Sequence, residues 1–341
     1  MLRSLKLPRR LVLVGSVLVD ILLYVPRLPE RGGDLLAERS LIMSGGGMNV
    51  LAGAARLGLP AAYAGRVGDG AMGMQVLADL KAQGIPLLLP QIHGEDTGFD
   101  VGLVESNAER TFVTSPGTES RLLPADLAAI PLYASDAVYL SGYELCYPVS
   151  GASLERWIPE LDPDIWLVVD PGPLALEIPG GRLSTVLART TVLTLNAREA
   201  FLLTGQESIS RSATLLGERI ASTGWVVVRS GEQGCWVAAR GAQPFHVPGR
   251  QTQAVDTTGA GDAHTAALLA RLALGDDLPE AARIANIAAS LSVERHGPAT
   301  GPTAAELMEA LRQVPESPDE GDGLVRRSAS PADEPQGKRR D

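Results

Sequence analysis

Short, mostly apolar runs recur along the chain at residues 11–14, 137–140, 166–169, 192–195 and 225–228. None of them alternates with polar positions. A strand with one wet face alternates and a strand covered on both faces does not, so these runs predict buried parallel strands. Between them, residues 49–57, 73–83, 198–203, 215–221 and 278–293 space their apolar side chains as one face of a helix does. Strand and helix in alternation predict an α/β fold, a doubly wound and mostly parallel sheet flanked by helices, with ligands at the carboxyl ends of its strands.

Two stretches break that rhythm. Residues 19–39, and 99–104 with 111–114, read as exposed strands and turns outside the main sheet. The expected organisation is a basic N-terminal arm at 1–10 and one large domain at 11–314, with the small sheet inside it at about 19–39 and 98–115. A tail at 315–341, dominated by Pro, Ser, Asp, Glu, Arg and Lys, has too few apolar residues to bury a core and is expected to be disordered.

Hydrophobic residues make up 45% and charged residues 21% of the 341, which supports a large core. A net charge of −10 speaks against nucleic acid as the main partner. Cys146 and Cys235 are the two cysteines, too few for a disulfide framework, and no Cys/His cluster has zinc-site spacing. Both features fit a reducing, cytoplasmic location. Arg9 and Arg10 ahead of the first apolar run imitate a signal peptide, but Asp20 interrupts it and no small-residue cleavage site follows, so the run reads as a buried first strand. No uncharged segment reaches membrane-spanning length.

The chemistry concentrates at residues 255–262, VDTTGAGD, where a helical pattern through Ala266, Leu268, Leu269, Leu272 and Leu274 follows at once. A helix that starts at a glycine turn presents unpaired amides and the positive end of its dipole, a site for phosphate or oxyanion charge. The amides of Gly259, Ala260 and Gly261 suit that task. Asp262 does not, because a carboxylate repels a phosphate. It suits a base that takes the proton of an attacking hydroxyl. Turn and carboxylate together read as phosphoryl transfer to an alcohol.

This string resembles the DTxGAGD signature of the pfkB carbohydrate kinases, the ribokinase-like kinases, in which the last Asp is the catalytic base. The family usually has Phe two residues beyond that Asp, and this chain has Ala263 and then His264. Two residues on is about 200° around a helix, so His264 is expected to face away from the reacting hydroxyl.

The resemblance extends from residue 11 to about 314 and implies further roles. Residues 44–49, SGGGMN, are similar to the family's Gly-Gly-x-x-x-Asn, which assigns Gly45, Gly46 and Asn49 to the sugar, with Ser44 in place of the first glycine. Phosphofructokinase-type members carry a Lys at the place of Gly46 to grip a substrate phosphate. Its absence here implies an unphosphorylated acceptor. Asp20, expected at the carboxyl end of the first strand, matches an Asp that accepts from two sugar hydroxyls, and Glu144 matches a second sugar-side acid.

On the nucleotide side, Asn196 and Glu199 match an N-x-x-E motif that organises Mg2+ and phosphates through water. The same pair also fits a plain helix capping box. Arg229, Gly231 and Gly234 match the strand and turn that border ATP. Thr258 matches an ATP contact and Asn286 a position beside adenine. Asp256, with Thr258, matches the site of a monovalent cation such as K+. Residues 68–73, GDGAMG, fit G-x-G-x-x-G, a dinucleotide pattern, and are read instead as a structural turn near the sugar pocket. No GxxxxGK[ST] segment exists in the chain.

The expected protein is therefore an ATP- and Mg2+-dependent kinase for an unphosphorylated sugar or polyol. The family's small sheet lids the sugar and often joins two subunits, which implies a homodimer through the lid. Nucleic acid and membrane are not expected partners. A nucleoside kinase on the same fold and a non-catalytic sugar or nucleotide sensor remain open. An apolar surface near Met43, Met48 and Phe112 would favour the nucleoside.

Overall fold

The strands, in chain order, are β1 (Arg10–Leu13), β2 (Val19–Val25), β3 (Arg39–Ser44), β4 (Ala61–Tyr63), β5 (Phe99–Glu105), β6 (Arg110–Ser115), β7 (Asp136–Ser141), β8 (Trp166–Asp170), β9 (Val192–Asn196), β10 (Trp225–Arg229), β11 (Gly234–Ala239) and β12 (Phe245–Pro248). They come from a computed structural model that describes residues 6–106 and 109–313. The expected tail at 315–341 and the first five residues of the arm lie outside the described residues.

Eight strands form one sheet in the order β12-β11-β10-β9-β8-β7-β1-β4. From β4 to β10 the neighbours run parallel, and β11 and β12 close one edge antiparallel. The apolar runs do not alternate because both faces are covered. Leu11 and Leu13 enter one core cluster while Val12 and Val14 enter the other, and Ala137 and Tyr139 part from Val138 and Leu140 in the same way.

Helices α1 (Met48–Arg56), α2 (Ala71–Ala82), α3 (Pro124–Ala129), α4 (Gly142–Cys146), α5 (Pro148–Trp157), α6 (Gly180–Arg189), α7 (Ala197–Thr204), α8 (Ile209–Gly217), α9 (Ala260–Leu274), α10 (Leu278–Ser292) and α11 (Ala304–Gln313) fill the two layers. The first cluster takes side chains from α1, α2, α9, α10 and α11, the second from α3 to α8. The doubly wound architecture is the expected one.

The second sheet, β3-β2-β5-β6, stands apart as four strands where exposed strands were expected. The central pair β2 and β5 is parallel and sets Asp20 beside Asp100.

Two boundaries differ clearly from expectation. β1 begins at Arg10, inside the expected arm, because its guanidinium pairs with Asp136 on β7 at 2.6 Å. The Lys6 carbonyl accepts from the Trp166 indole at 2.9 Å, so this part of the arm is docked. The helix expected at 215–221 is α8, which starts at Ile209 because the Ser208 hydroxyl accepts from the Arg211 amide and caps it.

Four successive parallel strands end on polar residues: Ser141 closes β7, Asp170 β8, Asn196 β9 and Arg229 β10. Ser141 is in register with Asp170, and Asn196 with Arg229. This row at the carboxyl edge is the floor of the site.

Candidate active site

α9 starts at Gly259, whose φ of 72° is left-handed and suits glycine. The first bond inside the helix runs from the Ala263 amide to the Gly259 carbonyl at 2.8 Å. The amides of Gly261 and Asp262 precede it and lie at the positive end of the dipole. The Ala260 amide is less free than expected, since it donates to the Thr257 carbonyl at 3.3 Å.

Asp262 sits in this first turn. Its Oδ2 accepts from Asn49 Nδ2 at 3.0 Å, so the two glycine motifs, 213 residues apart, meet at one carboxylate. Burial raises its pKa to about 6, helped by the charge of Asp170 and opposed by the Asn49 hydrogen bond and by Arg229. Such a carboxylate is ionised at neutral pH and is a better proton acceptor than an ordinary Asp.

On one side of Asp262 lies a cavity of about 320 Å³, lined by Asp20, Asp100, Phe112, Glu144 and Asp170 among others. Asp20 is not at the end of β1. The chain leaves β1 at Leu13, turns at Gly15 and Ser16, and brings Asp20 in as the second residue of β2. Burial, then Asp100, then Asp262 push its pKa up to about 8. Gly45 packs behind it, and a Cβ there would come within 2.0 Å of Asp20 Oδ1, so no other residue fits. Gly46 and Asn49 line the cavity, whereas Gly45 only backs it.

Glu144 is fully buried, and both its oxygens lack a hydrogen-bond partner of good geometry. Burial raises it to about 8, with Ser16 close enough to pull it partly back. Asp100 was not foreseen. Burial raises it to about 6, and its Oδ1 is also without a partner. The available signal was a lone carboxylate inside the apolar run of β5.

On the other side lies a cavity of about 340 Å³. Asn196, Gly231, Gly234 and Asn286 line it, and Arg229 and Gly261 line both cavities. Arg229 Nη2 pairs with Asp170 Oδ2 at 3.0 Å and Nη1 reaches Thr194. Asp170 was also missed. A carboxylate directly after the run 166–169 was the cue.

Glu199 faces the first cavity instead. With Asn196 it forms the capping box, each backbone amide donating to the other's side chain at 2.8 Å. Burial and then the neighbouring Asp170 raise its pKa.

Thr258 lines neither cavity. Its hydroxyl donates to Asp256 Oδ1 at 2.6 Å, and its amide does so at 2.9 Å. Asp256 also accepts from Arg110 and, through Oδ2, from the Gly297 amide at 2.9 Å. Asn286 donates to the carbonyls of Val247 and Pro248 at 3.0 and 3.1 Å, so its amide hydrogens face β12.

His264 is buried and lines the second cavity. Its Nε2 lies 3.1 Å from Asn286 Oδ1 and therefore carries the proton, while Nδ1 is unpartnered. Burial and then Arg229 lower its pKa to about 3, so the ring is neutral.

The GDGAMG segment lines neither cavity. The Asp96 carboxylate accepts from the amides of Met72 and Gly73 at 3.2 and 2.8 Å and occupies that helix terminus itself. Among the described residues no group of three or more His, Cys, Asp or Glu side chains is arranged to hold a metal, and no helix is long and apolar enough to cross a membrane.

The profile of the family described as pfkB family carbohydrate kinase covers residues 8–305. The chain is 32% identical over 308 residues to an uncharacterized sugar kinase, YegV, of Escherichia coli (strain K12), covering 89% of this chain and 94% of that protein. It is 30% identical over 317 residues to the ribokinase of Bacillus subtilis (strain 168), covering 89% and 99%. Its fold superimposes on Arabidopsis thaliana ribokinase, solved with ribose and ATP, with a TM-score of 0.72 at 24% identity, over 90% of this chain and 99% of that one.

Proposed function

The chain belongs to the pfkB family of carbohydrate kinases, and from that premise we propose that it transfers the γ-phosphoryl group of ATP to a hydroxyl of an unphosphorylated sugar or polyol, with Asp262 as general base. One observation carries the reading: two cavities of similar volume meet at Arg229 and Gly261, with the Asp262 carboxylate on one side of the junction. The acceptor occupies the side walled by Asp20, Asp100 and Glu144, and the nucleotide the side walled by Gly231, Gly234 and Asn286.

The acceptor oxygen forms its bond to the γ-phosphorus as the bond to the β–γ bridging oxygen breaks. The hydroxyl proton passes to Asp262 and ADP leaves. The α9 amides and Arg229 offset the charge of the moving phosphoryl group. Partly protonated Asp20, Asp100 and Glu144 both accept from and donate to hydroxyls, which suits a polyol and repels a phosphorylated or carboxylated acceptor.

Mg2+ fits this site through water. Glu199 and Asp170 line the acceptor side next to Arg229, which borders both cavities, and would hold the ion at that junction through water, since magnesium keeps most of its waters. When bound with ATP it neutralises phosphate charge. Exposed Ile42 on β3 and Val113 on β6 motivate the expected homodimer through the lid sheet, which light scattering of Ile42→Glu and Val113→Glu variants would test.

The nucleoside reading has one observation in its favour. Phe112 lines the acceptor cavity, although Met43 and Met48 do not. An ADP-release screen across unphosphorylated sugars, polyols and nucleosides tests the assignment. Turnover with a sugar or polyol is the expected result. Turnover only with nucleosides moves the chain to the second reading, and ATP binding without transfer to any acceptor makes it a sensor.

A further inference from the structure

Arg110 opens β6, the edge strand of the lid, and its guanidinium ends on Asp256, the first residue of the DTTGAGD turn, 146 residues away in sequence. Both side chains are largely withdrawn from water, at 17% and 8% exposure. Every partner of Asp256 among the described residues is a donor. Oδ1 takes Arg110 together with the amide and hydroxyl of Thr258, and Oδ2 takes the Gly297 amide. A carboxylate oxygen offers about two lone-pair sites, so Oδ1 is saturated and has nothing left for a metal cation. Oδ2, with the Gly297 amide alone, keeps one site, but the guanidinium already supplies the positive charge that the monovalent cation implied by the family resemblance would bring to Asp256.

The position explains why a positive charge is needed there. Asp256 shapes the turn that places Gly259 in its left-handed conformation and opens the α9 amides. Its own negative charge, three residues before Gly259, opposes an incoming phosphoryl group. Four donors converge on Asp256, the set an ionised carboxylate takes, and an ionised carboxylate this far from water needs a counter-charge.

We propose that Arg110 is a positioning residue whose guanidinium supplies from the lid the positive charge at Asp256, making the phosphoryl-transfer turn independent of added monovalent cation and tying its shape to the lid. The turnover part of this inference rests on the kinase reading; the cation part does not.

Thermal unfolding of the whole chain in choline chloride and in potassium chloride, at equal ionic strength, separates the two. The wild-type midpoint is expected to be the same in both salts. Arg110→Ala is expected to lose roughly 5 °C in choline and to regain much of it in potassium, which enters the vacated space. Arg110→Lys, which keeps the charge, is expected to stay close to wild type and serves if the alanine variant does not fold. With an acceptor from the screen, Arg110→Ala should lose about tenfold in kcat in choline and recover in potassium, with KM for the acceptor little changed. A wild-type protein stabilised or activated several-fold by potassium overturns the proposal. So does an alanine variant that is unaffected in choline, or one that gains nothing from potassium. If no acceptor is ever phosphorylated, the kinase reading fails while the unfolding experiment still decides the role of Arg110.

Discussion

α2 and α9 begin alike and end up as opposites. Each follows a glycine-rich turn, GDGAMG before one and TGAGD before the other, and neither has a capping side chain at its own N-cap glycine. At α2 the Asp96 carboxylate arrives from more than twenty residues downstream and takes the amides of Met72 and Gly73. At α9 no side chain among the described residues takes the amides of Gly261 or Asp262, and the one carboxylate in the turn, Asp262, is held by Asn49. Glycine spacing makes a helix terminus accessible. Whether it stays open to a ligand depends on a remote carboxylate that closes it or stays away.

The largest effect is expected at Asp262. Asp262→Asn should lower turnover by about 10²–10⁴-fold and leave ATP affinity, measured by calorimetry, nearly unchanged, because a base acts in the transition state. A variant that retains more than about a tenth of the rate would remove the chemical distinction between the two termini.

The pH dependence sharpens the same point. A general base works deprotonated and the pKa of Asp262 is raised to about 6, so under the proposed role kcat should fall as pH drops through about 6. Asn49→Ala deletes a hydrogen bond that favours the carboxylate, so the acid limb should move to higher pH. An unmoved limb would show that another group sets it.

Stability should respond in the opposite sense. Asp20 and Glu144 have native pKa values raised to about 8, above their unfolded values, so the native state holds their protons more tightly. Their destabilisation is absent in acid, grows as pH rises from about 4, and is complete above about 8. Glu144→Gln should therefore raise the unfolding midpoint at pH 9 by a few degrees and change it little at pH 5. Equal shifts at both pH values would sink the linkage argument.

At α2, Asp96→Ala should lower stability by about 1–2 kcal/mol, as loss of a helix cap does, with turnover unchanged. If turnover collapsed in a folded variant, that terminus would belong to the site after all. The smallest effect is expected at His264→Phe. Turnover and pH profile should persist, because the ring is neutral and bonded to Asn286 rather than to the reacting groups. Asn286 Oδ1 would lose its donor, so chemical denaturation should show a loss of about 1 kcal/mol.

By itself the sequence determined the buried parallel strands, the alternation that makes the sheet doubly wound, and the motif that identifies Asp262. Each follows from local periods or from residues adjacent in the chain, where the chemistry of a few neighbours is enough. Ser208 shifting α8 was legible too, as a capping residue ahead of an apolar face. Only the tertiary structure decided that Asp20 belongs to the small sheet, that Asp100 and Asp170 line the same cavity, that Asp96 closes α2 and that Arg110 reaches Asp256. These depend on strand register and on packing between elements tens to more than a hundred residues apart. Such contacts are set by how two sheets and two helix layers fit together, and no local pattern in the chain encodes the distance between two side chains that meet only after it folds.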